Sequence, residues 1–158
     1  MEQQVKERQQ VRDRMLPWMD SFCVGHVELD AEHRDLVEAI NDIEVAVRGG
    51  QDPERVAELL TALRLAAVRH IERENALLWQ IGAGTYEPLR GRAPTPHFLR
   101  AMAGAALDKH IAEHDTFLDR LDHVIGGSLE EIGEALKTWF LDHAIKQDSH
   151  LKAIFQAM

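Results

Sequence analysis

The sequence predicts an all-α protein: an antiparallel up-down-up-down four-helix bundle preceded by an N-terminal arm. Three observations predict it. Apolar residues recur three and four apart in four separate stretches, which lays one apolar stripe along each helix. Those stretches are bounded by helix-start and helix-stop residues, and two of the connections between them are short. No segment shows the alternating pattern of a half-buried strand.

Residues 1–17 form the arm and residues 18–158 the bundle domain. The arm is polar, with apolar residues only at Val5, Val11 and Met15 before Pro17, so it reads as a surface helix or a frayed tail. From Trp18 to Leu29 the chain reads as an extended lead-in anchored by Phe22 and Val24. The first bundle helix is expected from Asp30, as N-cap, to Gly49-Gly50. Its stripe is Leu36, Val37, Ile40, Ile43 and Val47, with His33 in register. Asp52-Pro53 opens the second helix as cap and first residue, and its stripe carries Leu63, Ala67, His70, Glu74 and Leu77 before fading near Gly82. Thr95-Pro96 opens the third in the same manner, with Met102, Ala106, His110, His114, Phe117 and Leu121 on one face, and Gly126-Gly127 stops it. Ser128 and Glu131 have capping-box spacing for the fourth, whose stripe holds Leu136, Trp139, Phe140, His143, Leu151 and Ile154. Gly82 to Pro94 is the one long irregular connection, and reads as a lid over one end of the bundle or as a surface loop.

A net charge of −9 argues against nucleic acid and against an anionic membrane surface, both of which require a basic face. The single cysteine, Cys23, gives no internal disulfide, and the polar stretch Met1–Arg14 lacks a signal-peptide core. No apolar run approaches a membrane span, so a cytoplasmic protein is expected.

Five of the nine histidines fall on core-facing stripes, together with Glu74. Unpartnered, those groups would cost several kcal/mol on burial; a shared metal supplies the partners. His70 and Glu74 are four apart, as are His110 and His114, so each pair shares a helix face. His143 and Asp148 are five apart, roughly 140° out of line on a regular helix, so Asp148 must reach in from an edge or the helix must be distorted. Height is the stronger test. His33 lies 16 residues before Gly49 and His70 lies 18 after Asp52, while His110 lies 16 before Gly126 and His143 lies 15 after Ser128. At the helical rise each is roughly 25 Å from the same end. His114, Glu74 and Asp148 fall within about a turn of that level, so seven groups occupy one layer.

Seven ligands exceed the four of a structural zinc site, and five imidazoles with two carboxylates suit a pair of first-row transition metals. The Glu-x-x-His motif of ferritin-like di-iron bundles is absent, as is the His-Glu-x-x-His of zinc proteases.

The residues Val24-Gly25 through Leu29-Asp30-Ala31-Glu32-His33, then His70-Ile71-Glu72-Arg73-Glu74, His110-Ile111-Ala112-Glu113-His114, and Trp139-Phe140-Leu141-Asp142-His143 leading to Asp148 resemble the hemerythrins, especially the bacterial single-domain kind. The resemblance implies two irons joined by an oxo or hydroxo bridge. It gives His110, His114 and His143 to one iron and His33 and His70 to the other, with Glu74 and Asp148 bridging. It further implies that dioxygen binds reversibly at the two-histidine iron, making the protein an oxygen carrier, store or sensor rather than an enzyme. Alternatives are a di-iron enzyme acting on peroxide or nitric oxide, or an iron- or oxygen-sensing module; a redox or oxygen-receiving protein partner is open. Phe140, Ile111 and Leu36 are the candidate pocket lining. Asn75 stands where the family commonly has a second glutamate. His97 and His123 read as surface residues, and His26 and His150 as groups able to tune proton access.

Overall fold

The computed structural model describes residues 1–89 and 97–158. Among the described residues every regular element is helical and there is no strand. The helices are α1 (Glu2–Arg14), α2 (Val27–Arg48), α3 (Pro53–Ala83), α4 (His97–Ile125), α5 (Ile132–Leu141) and α6 (Ser149–Gln156). Short 3-10 turns lie at Asp20–Phe22 and Glu87–Leu89, and a π-helical turn, Asp142–Gln147, joins α5 to α6. None of the described helices is long and apolar enough to cross a membrane.

The arm is helical. α1 buries no residue, as expected from its lack of an apolar stripe. The chain is pinned just after it, where Leu16 donates its N–H to Asn41 Oδ1 at 2.7 Å and accepts from Asn41 Nδ2 at 2.9 Å. Phe22 and Val24 are both buried, so the lead-in is anchored by the two side chains that the sequence singles out.

α2 starts at Val27, three residues before the expected cap. The His26 side chain accepts from the Leu29 N–H at 3.4 Å, while the Asp30 carboxylate turns back to take the N–H groups of Val24 (2.7 Å) and Gly25 (3.3 Å). Asp30 therefore ties down the lead-in instead of capping the helix. Asp52 caps α3 by accepting from Glu54 N–H at 3.0 Å, and Gly84 ends it in the left-handed conformation, φ +74°, that glycine adopts without strain. The Thr95-Pro96 opening of α4, and the part of the long connection from 90 to 94, lie outside the described residues. The Ser128–Glu131 capping box does not form. Glu131 N–H is taken by the Ser128 backbone carbonyl at 3.3 Å, closing a turn, and α5 begins only at Ile132.

α2 packs on α3 and α5, α3 packs on α4, and α4 packs on α5 and α6. Among the described residues the interior has two apolar clusters. One holds Leu36, Ile40, Leu63, Ala67, Phe117, Leu136, Phe140 and Ala144 among others; the second holds Leu29, Leu77, Leu78, Ala106, Leu151 and Ile154. Five of the metal-type residues stand where the clusters meet, His33 between Leu29 and Leu36, Glu74 between Ile71 and Leu77, His110 and His114 between Ala106 and Phe117, and Asp148 between Ala144 and Leu151, while His70 and His143 adjoin the first cluster. A polar layer thus crosses an otherwise apolar core.

Close packing between α2 and α5 depends on one glycine. Glu44 is buried, with Oε1 taken by Arg48 Nε at 3.2 Å, and a Cβ on Gly133 would overlap its Oε2. Gly133→Ala is expected to cost about 1–3 kcal/mol through overpacking. Thermal melts check this: the loss should shrink in a Glu44→Ala background, where the space is free, and equal penalties in both backgrounds would refute the contact.

Candidate metal centre

Every one of the seven predicted side chains is buried: His33, His70, Glu74, His110, His143 and Asp148 are 0% exposed and His114 is 2% exposed. Their inner atoms converge. His33 Nε2 is 3.1 Å from His70 Nε2, which is 3.0 Å from His143 Nε2. Asp148 Oδ2 lies 3.0 Å from His33 Nε2 and 3.2 Å from His143 Nε2. Glu74 places Oε1 2.9 Å from His70 Nε2 and Oε2 2.9 Å from His114 Nε2. His110 closes the layer, its Nδ1 3.3 Å from His114 Nε2.

Asp148 enters through a distorted helix. In the π-helical turn Asp142–Gln147 the Asp148 N–H bonds the His143 carbonyl, five residues back, at 3.1 Å. The wider turn absorbs the extra residue and brings positions 143 and 148 to one face. It also sets Gln147 against the other side of the same imidazole, where its Oε1 accepts from His143 Nδ1 at 3.1 Å.

The outer nitrogens explain why this layer needs a cation. His33 Nδ1 donates to the Phe22 carbonyl (2.6 Å), His70 Nδ1 to Glu32 Oε2 (3.0 Å), His114 Nδ1 to Asn75 Oδ1 (2.9 Å) and His143 Nδ1 to Gln147. A neutral imidazole that donates from Nδ1 has only a lone pair at Nε2. The Nε2 atoms of these four rings face one another and the buried oxygens of Glu74 and Asp148, leaving many acceptors and few protons in one layer. Acceptors packed against acceptors repel unless positive charge sits among them.

Electrostatics agree. Burial alone would depress His70, but Glu74, Glu32 and Asp148 overcome it and raise it to about 10. His143 is raised for the same reason, Asp148 and Glu74 outweighing burial. Glu74 stays well below the usual carboxylate value despite its burial, because His70 and His143 favour its anion. His110 is pushed down to about 3, burial and the neighbouring imidazoles prevailing over Glu74. The cage holds Glu74 as an anion and attracts cationic charge to its centre.

Two ligand groups can be drawn, His33, His70, Glu74, His143 and Asp148 in one, Glu74, His110, His114 and Asp148 in the other. Both carboxylates belong to both groups, which is what bridging requires. The grouping of His143 differs from the division that the resemblance implies. Its ring stands between the sets, 5.2 Å from His70, 5.7 Å from His114 and 5.9 Å from His33, held there by Phe117 stacked on it at 4.3 Å.

Of the pocket candidates, Leu36 is buried and Phe140 sets its ring edge-on to His33 at 5.9 Å, backed by Phe22 at 5.2 Å. Ile111 does not line the interior. It is 46% exposed, because one residue past His110 the helix has turned about 100° towards solvent. His97 and His123 are exposed, His26 caps α2, and His150 packs against His110 with ring centroids 4.5 Å apart. Sequence reasoning missed the outer acceptors Glu32 and Gln147 and the stacked pair Phe117–Trp139 (4.2 Å). A usable signal existed, since Glu32, Asn75 and Gln147 each immediately neighbour a ligand residue in the chain.

Gln147→Ala removes the acceptor that orients His143. Metal affinity is expected to fall on the order of 10- to 100-fold, as for other partners of metal-bound histidines. Competition titration against a chromophoric chelator reads this; unchanged affinity would mean that the amide merely fills space, and Gln147→Glu should restore binding.

A family model described as the hemerythrin HHE cation binding domain matches residues 24–155. No curated protein and no solved structure matches the chain.

Proposed function

Because the chain belongs to the hemerythrin HHE cation-binding domain family, we propose that its buried layer holds two non-haem irons inside an antiparallel four-helix bundle and binds dioxygen reversibly. One observation carries the reading: two overlapping ligand groups share both Glu74 and Asp148, at the point where the buried imidazole nitrogens of four helical segments converge. The donor set fits, since imidazole and carboxylate suit first-row transition metals and two anions offset part of their charge. When bound, a ferrous pair supplies two electrons that dioxygen takes up and returns on release.

The chain's own residues then account for reversibility. Glu74 and Asp148 would hold the pair from α3 and from the end of the π turn. Phe22 O, Glu32, Asn75 and Gln147 fix the orientation of four imidazoles, so that the ligands are already in place before a ligand gas arrives. Asn75 does this as a neutral amide, adding no charge where a glutamate would. Phe22, Leu36, Phe117 and Phe140, all buried, exclude water and protons on one side, which slows irreversible loss of reduced oxygen.

The test is an anaerobic ferrous titration followed by admission of air, with iron quantitation. Two irons per chain and a charge-transfer band that appears in air and bleaches under vacuum are expected. Iron content below two, or a band that fails to return after cycling, would reject reversible binding; decay of the band coupled to consumption of a reductant would instead indicate a peroxide or nitric oxide enzyme.

A further inference from the structure

On the outer side of His110 stands a second set of ligand-type atoms that the cage does not use. His110 on α4, Glu113 one turn along α4, and His150 on α6 each offer a nitrogen or oxygen within 4.8 Å of the others. His110 Nε2, Glu113 Oε2 and His150 Nε2 are all buried and none has a hydrogen-bond partner. Glu113 and His150 are partly exposed, with side chains 26% and 24% accessible, and Oε2 and Nε2 lie 3.9 Å apart. The other carboxylate oxygen of Glu113 is 3.7 Å from Lys109 Nζ, which leaves Oε2 free to face inward. His110 itself is fully buried and reaches the cage with its opposite nitrogen.

We propose that His110, Glu113 and His150 form an outer divalent-cation site that shares His110 with the cage and through which metal ions reach it. Two imidazoles and one carboxylate are the donor set of three-ligand zinc and ferrous sites, with open positions left for water. A neutral imidazole has one lone pair, so His110 serves an outer ion through Nε2 or an inner ion through Nδ1, not both. The outer site is therefore a waystation. An ion captured at the partly exposed Glu113–His150 pair is released inward when His110 changes tautomer, Nδ1 losing its proton and Nε2 gaining one by exchange with water, so that the lone pair faces the cage. The proposal rests on the reading of the seven residues as a metal cage.

The experiment uses the full chain stripped of metal, with Co2+ as probe, and follows cage filling by stopped-flow absorbance and final metal content by elemental analysis. Glu113→Gln and His150→Ala are expected to slow filling on the order of 10- to 100-fold, the size of loss that follows removal of a supporting metal contact, with the same final content and spectrum. Filling at the wild-type rate overturns the proposal. A second arm places the same probe on Glu74→Gln, which weakens the cage. One Co2+ should still bind, and adding His150→Ala should abolish it; persistence of that ion also overturns the proposal. Circular dichroism of each variant checks folding. Failure of the native chain to bind a metal pair would overturn the cage reading and with it the inward passage, while the Glu74→Gln arm reports separately on whether the outer site binds.

Discussion

Asp148→Ala is expected to reduce bound metal from two ions per chain to one or none, while helix content is unchanged. Asp148 is 0% exposed and belongs to both ligand groups, so its loss removes a donor from each ion at once. It also removes one of the two carboxylates that would offset the charge of a bound metal pair. Loss of even an outer partner of a metal ligand costs on the order of 10- to 100-fold in affinity, and loss of a shared ligand should exceed that. Elemental analysis after loading and desalting measures it. Asp142→Ala is the matched control: that carboxylate, only six residues earlier on the same helical segment, binds Arg120 and Lys146 at the surface and should leave metal content untouched. Two ions retained by Asp148→Ala, at wild-type affinity, would rule out a bridging role.

Metal removal should have the second large effect, on stability. The layer separates two apolar clusters, so the core cannot close over it by apolar contact alone. Each unsatisfied buried polar group costs about 1–3 kcal/mol. A ligand that binds only the folded state at roughly 1,000 times its Kd stabilises by about 4 kcal/mol. For a chain of this size 1 kcal/mol moves Tm by about 2–4 °C, so each tightly held ion is worth roughly 8–16 °C. Calorimetry of the loaded chain against the same chain treated with chelator tests this. Identical melting temperatures would mean that the imidazoles and carboxylates satisfy one another without a metal, and would count against the cage.

Much of the site was legible because helices convert sequence into height. The rise per residue is fixed, so counting from Gly49, Asp52, Gly126 and Ser128 gives a common level for His33, His70, His110 and His143. The count survived a late start for α5, since the residues of the Ser128–Glu131 turn still advance the chain away from that end. The helix starts were less legible. His26 and Asp30 both have capping side chains, and only the position of the buried Phe22–Val24 segment decides which of them turns forward and which turns back.

By itself the sequence determined the helical class, the apolar stripes, the seven buried donors and their shared level, all consequences of periodicity about single helix axes. Tertiary structure alone decided how Asp148 gets in, which acceptors hold the outer nitrogens, where His143 stands between the ligand sets, and that His110 presents a free nitrogen to His150. The reason is physical: a period records rotation about one axis, whereas the π turn, the choice of ring nitrogen and the neighbours of each imidazole depend on how separate helices are rotated and shifted against one another, which no local pattern encodes.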